Sequence, residues 1–117
     1  MRSDEATLRA AYKAFNARDV NAALELMHPQ VDWPNAWEGG RVTGREEVAV
    51  YWSRQFESIQ STVTPERFDP QPDGSIVVTV RQAVRDAETD DLLSETRVLH
   101  RYRLQGGLVA RMDVEGL

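Results

Sequence analysis

The sequence predicts an α+β fold, with three helices in the N-terminal half packed on a mostly antiparallel sheet built largely from the C-terminal half. Two observations carry this. Up to about residue 59 apolar residues recur at three- and four-residue steps, the spacing of a helix with one buried stripe; from Thr62 onward they alternate, the spacing of strands with one buried face. A run of helices followed by a run of strands places the two kinds of element in separate layers instead of interleaving them as parallel βαβ units.

The first helix is expected from about Asp4 to Ala17. Asp4 and Glu5 favour the positive end of its dipole, and Leu8, Ala11, Tyr12 and Phe15 form its apolar face, with Tyr12 read as a packing residue. Arg18-Asp19 interrupts the run. Asp19 can cap a second helix whose stripe, Val20, Ala23, Leu24 and Met27, ends at His28-Pro29, with His28 beside the terminal carbonyls. The segment Val31-Asp32-Trp33-Pro34-Asn35 is β-prone but contains a proline with no amide to donate, which predicts an edge strand or extended segment. After the Gly39-Gly40 turn, Thr43 and Glu46 have the spacing of a capping box. They predict the start of a third helix bearing Val48, Trp52, Gln55, Phe56 and Ile59.

Thr62 to Phe68 is expected as a strand that Pro65 restricts to an edge or a bulge, and Pro70 to Gly74 as a turn. In the next strand Ile76, Val78, Val80, Gln82 and Val84 share one face, and Val77, Thr79, Arg81, Ala83 and Arg85 the other. After the polar turn Asp86 to Asp91, Val98, His100, Tyr102 and Leu104 oppose Arg97, Leu99, Arg101 and Arg103. The arginines mark the solvent face, so His100 and Tyr102 point inward. Gln105-Gly106-Gly107 makes a hairpin into a last strand with Leu108, Ala110, Met112 and Val114 on one face and Asp113 on the other.

Composition narrows the function. The 117 residues read as a single domain able to bury roughly two-thirds of its unfolded surface. A net charge of -5 repels phosphate backbones and argues against nucleic acid as a partner. No apolar run approaches membrane-spanning length, and the absence of cysteine fits a cytoplasmic location. Two distant histidines without ligand spacing argue against a metal site, and no glycine-rich loop precedes a helix, so operation without a cofactor is expected.

The element order, together with Ala14-Phe15-Asn16-Ala17-Arg18-Asp19-Val20, His28-Pro29-Gln30-Val31 and Gly44-Arg45-Glu46-Glu47, resembles the SnoaL-like branch of the nuclear transport factor 2-like (ketosteroid isomerase-like) superfamily. The likeness covers essentially the whole chain. It implies a cone formed by a strongly curved sheet around the helices, a pocket for a small apolar molecule, and, as in many members, a homodimer through the outer face of the sheet. The superfamily spans isomerases, dehydratases, polyketide cyclases, epoxide hydrolases and association domains, so fold alone does not select a reaction. Two classes follow: a cofactor-independent isomerase, cyclase or lyase acting by proton transfer on an apolar substrate, or a non-catalytic ligand-binding or interaction domain.

Carried onto this chain, the ketosteroid isomerase pattern places Ala11 at its tyrosine position, Asn35 at its carboxylate base and His100 at its protonated aspartic acid. An asparagine cannot abstract a proton, which argues against that isomerisation. The polyketide-cyclase pattern, a histidine on the penultimate strand with an aspartate on the last, gives His100 and Asp113 as catalytic candidates. Strand parity turns Asp113 outward unless a bulge shifts the register. An epoxide-hydrolase relay would need an inward arginine, whereas Arg81 and Arg97 fall on the outer face.

A histidine with an ordinary pKa near 6.5 can serve as acid, base or hydrogen-bond donor, and an inward one equally fits a hydrogen-bonded core residue. Trp33, Asn35 and Trp37 on the extended segment, Trp52 and Phe56 on the third helix, and Gln82, Tyr102 and Met112 on the sheet are expected to line the pocket. The same aromatic residues also fit simple core packing.

Overall fold

The computed structural model describes residues 3–35 and 39–116; Trp37 lies outside the described residues. Among these, α1 (Asp4–Asn16), α2 (Val20–Glu25), β1 (Met27–Pro34), β2 (Arg41–Thr43) and α3 (Arg45–Ser58) precede β3 (Ile59–Pro70), β4 (Ile76–Asp86), β5 (Leu92–Gln105) and β6 (Leu108–Gly116). The strands form one sheet in the order β2-β1-β6-β5-β4-β3, antiparallel throughout except for the parallel pair β1 and β6. α3 touches β1 and β2 at one edge and β3 at the opposite edge. Six flat strands would separate those edges by about 24 Å, more than twice a helix diameter, so the sheet must curl around the helices into an unclosed α+β cone. Leu8, Val31, Val48, Val78, Val80 and Val109, all fully buried, fill the space between them. No helix among the described residues is long and apolar enough to cross a membrane.

Several local expectations are corrected. α2 stops at Glu25; Met27 and His28 begin β1, because the Val109 amide donates to the Leu26 carbonyl and draws the chain alongside β6. His28 therefore faces no helix end, and its Nδ1 accepts from the Gln30 amide at 3.0 Å. β1 lies between β2 and β6 and is not an edge; Pro34 is tolerated because it is the strand's last residue. Pro65 does sit on the edge strand β3, beside the bulge between Pro65 and Arg67. Asn16 pins the free side of that strand, its Nδ2 donating to the Val63 carbonyl at 2.8 Å and its Oδ1 accepting from the Val63 amide at 2.9 Å.

The capping box does not form. Thr43 is held in β2 opposite Asp32, and α3 starts from Gly44, which has no side-chain cap. Gly44 adopts φ 95° and ψ 153°, a conformation open essentially to glycine alone, while its amide donates to the Val31 carbonyl at 2.8 Å. Gly44→Ala is expected to cost about 1–3 kcal/mol in urea unfolding. Thr43→Ala should cost less than about 0.5 kcal/mol, against the roughly 1 kcal/mol that a lost helix cap would remove.

Candidate functional site

The curl leaves a cavity of about 130 Å³ between α1, α3 and the concave face of the sheet. That is close to the roughly 150 Å³ of an engineered apolar cavity that holds one benzene ring. Phe15 and Tyr12 of α1, Trp52 and Tyr51 of α3, and Trp33 of β1 supply its aromatic wall. Trp33 and Phe15 stand edge-on to Trp52 at centroid distances of 5.6 and 5.2 Å, an arrangement that fixes all three rings.

One polar group in this wall is held by a chain of hydrogen bonds. The Tyr102 hydroxyl donates to the Tyr12 oxygen at 2.8 Å, and the Tyr12 hydroxyl lies 2.8 Å from Nδ1 of His100. Where Tyr12 accepts from Tyr102 in this way, its own proton goes to Nδ1, and the ring then carries its hydrogen on Nε2. Nε2 has no partner among the described residues and is not sealed off, and His100 lines the cavity, so the tautomer with hydrogen on Nε2 offers a donor to whatever occupies it. Burial lowers the His100 pKa to about 4, which keeps the ring neutral at physiological pH. Burial likewise drives both tyrosine hydroxyls far above their ordinary range, so neither ionises.

A second polar patch lies farther along the wall. Gln55 of α3 is buried and lines the cavity without a side-chain hydrogen bond, and Gln82 of β4 makes only a long 3.4 Å contact from Nε2 to Oγ of the buried Ser61. Among the described residues lining the cavity there is no Asp, Glu, Lys or Arg.

The structure brings His100, Tyr102, Trp33, Trp52, Gln82 and Met112 to this cavity. Phe56 stands behind it, packed on Phe15 and covered by the Arg18 guanidinium at 4.7 Å, and Asn35 is not among the lining residues. Tyr12, expected as packing, lines the cavity and orders His100. The evidence for this in the sequence was its place next to Ala11 on the inward stripe, but only the tertiary pairing of α1 with β5 reveals its partner.

Asp113 is not brought to His100. A bulge does occur in β6, but upstream: the register against β5 shifts between Arg103 and Leu104, so that Val109 turns into the core in place of Leu108 and Ala110. Met112 stays inward and Asp113 outward. There Asp113 joins a closed ring of charges, accepting from Arg41 at 3.0 Å and from Arg111 at 2.9 Å, while Asp32 also pairs with Arg41 and lies 3.0 Å from Arg111. Hydrogen bonds from Arg111, with its charge and that of Arg41, hold the Asp113 carboxyl below the usual carboxylate range.

The fold defines an α+β cone of the nuclear transport factor 2-like kind, with a partly open cavity on its concave side. Residues 8–112 match the SnoaL-like domain family, to which the chain belongs. No curated protein sequence is a significant relative. Among solved structures, an NTF2-like protein of unknown function from Burkholderia pseudomallei superposes with a TM-score of 0.84 at 22% identity, covering 100% of this chain and 92% of that one. TerC, co-crystallised with polyporic acid, gives 0.83 at 21% identity over 97% and 91%. A Mycobacterium tuberculosis protein in complex with estradiol-17beta-hemisuccinate gives 0.79 at 21% identity over 92% and 88%. At these identities the likeness is one of fold.

Two outcomes follow from the geometry. In the unfolded chain His100 takes up a proton near pH 6.5, in the folded chain only near pH 4, so the stability of its neutral form is fully present above about 6.5 and lost as the pH falls toward 4. The native protein should lose about 3 kcal/mol more than His100→Gln between pH 7 and 4 in urea titrations, and equal losses would contradict the assignment. Asp113→Asn should cost about 1 kcal/mol at low salt and less at high salt, because it opens a partly exposed charge ring.

Proposed function

We propose that the chain is a small-molecule-binding SnoaL-like domain whose cavity takes a neutral, largely apolar ring compound through one oxygen acceptor placed against Nε2–H of His100. The observation that carries this is the hydrogen-bonded chain from Tyr102 through Tyr12 to Nδ1 of His100, which leaves Nε2 without a partner among the described residues in a mainly apolar wall. Hydrogen bonds in series polarise one another, so the terminal N–H is a better donor than an isolated imidazole. An uncharged wall disfavours a charged ligand, which would lose its hydration without gaining a counter-ion.

A catalytic form of this reading is an isomerase, cyclase or lyase in which the same donor holds an oxyanion as it develops. Proton abstraction by His100 fits less well, since its one lone pair already accepts from Tyr12 and no carboxylate lines the described cavity. Binding is therefore the preferred reading. A homodimer through the outer face, where Leu99 lies among arginines, and a cytoplasmic setting belong to the same proposal.

The test is titration of acetophenone, a one-ring carbonyl compound, followed by tryptophan fluorescence. His100→Leu should weaken binding about tenfold, the worth of one buried hydrogen bond, and Tyr12→Phe by a smaller factor. Unchanged affinity in His100→Leu would overturn the role given to the imidazole.

A further inference from the structure

The donor at His100 leaves Gln55, Gln82 and Ser61 unexplained. The Gln55 amide is not sealed away but open to the cavity, and a leucine would fill the site if packing alone were required. Gln55 nevertheless makes no side-chain hydrogen bond while lining the cavity, and the amide of Gln82 has one long contact, to Ser61, itself 1% exposed. Gln55 lies one turn before the junction of α3 with β3 and Ser61 just after it, while Gln82 is paired with Thr96 and with Val63. Gln82 touches Ser61, and the Gln55 carbonyl accepts from the amide of Ile59, the first residue of β3, which puts all three at the α3–β3 end of the cavity.

His100 is at the other end. It pairs with Val78, and Gln82 lies four residues farther along β4, a rise of roughly 13 Å at about 3.3 Å per residue, which the concave curvature shortens at the side-chain tips. A single ring with substituents at opposite ends, together with one hydrogen bond of about 2.8 Å at each end, spans roughly 11 Å.

Resting on the reading of the cavity as a ligand site, we propose that Gln55 and Gln82 form a second, specificity-determining pole that reads a group able both to donate and to accept. The ligand class is then an uncharged, elongated one-ring compound with a carbonyl oxygen at the His100 end and a carboxamide, lactam or hydroxyl group at the glutamine end. A glutamine presents one acceptor and two donors in a plane, the complement of a carboxamide edge, whereas a hydroxyl satisfies it in part.

The experiment compares 4-acetylbenzamide with acetophenone on the native protein and on Gln55→Leu, Gln82→Leu and His100→Leu, with circular dichroism to confirm folding. The native protein should prefer the carboxamide by about tenfold, and either glutamine substitution should erase that preference, whereas His100→Leu should weaken both ligands and retain it. Acetophenone binding through His100 with no preference for the carboxamide would overturn the second pole alone. Failure of both compounds to bind would overturn the reading of the cavity and this inference with it. Should Gln55→Leu not fold, Gln82→Leu and the native preference still decide the matter.

Discussion

A histidine can sit in the core of this cone because two tyrosines give its ring a defined hydrogen-bond partner at Nδ1. An imidazole buried among Tyr12, Tyr102 and valines needs a protein partner, and protonating it there would bury a charge with no carboxylate among the described lining residues. The Tyr102 to Tyr12 to His100 chain removes the first cost by satisfying Nδ1, and burial itself keeps the ring neutral. It also joins α1 to β5 across the space that the curled sheet encloses, so the same contacts that close the core set the chemistry of the cavity.

Charge is divided between the two faces of the sheet with a one-residue period. Met112 lines the cavity and its neighbours Arg111 and Asp113 meet Asp32 and Arg41 outside. Glu66 likewise pairs with Arg81 and Arg97 on the outer face, and Arg101 with Glu115. Such pairs are individually weak where they are this exposed, but they hold Asp32, Glu66, Asp113 and Glu115 on the outer face. Arg41 also donates to the Met112 carbonyl at 2.6 Å, which ties the short strand β2 to the strand that carries a cavity wall. The concave side keeps its polarity in uncharged groups.

Much of this was legible in the sequence. Strand alternation is a hard constraint, and it placed His100 and Tyr102 inward and Arg81, Arg97 and Asp113 outward, as the structure has them. Local patterns were weaker guides where a distant strand competed for the backbone. Met27 left the helical stripe because β6 offers its carbonyl neighbour a partner, and Thr43 lost its capping role because β1 holds it in a ladder. The bulge that brings Val109 inward left no mark in the alternation of Leu108 to Val114, since alanine and valine suit either face. The partner of Tyr12 is hidden for a related reason: a stripe specifies which way a side chain points and says nothing about what it meets 88 residues later.

The most direct measurement is the tautomer of His100, read from the two imidazole nitrogen chemical shifts in long-range proton–nitrogen NMR spectra at neutral pH. The expected result is a neutral ring with hydrogen on Nε2 and a hydrogen-bonded, unprotonated Nδ1. Hydrogen on Nδ1, or an imidazolium at pH 7, would mean that the tyrosine chain runs the other way or does not control the ring, and the donor on which the site is built would be absent.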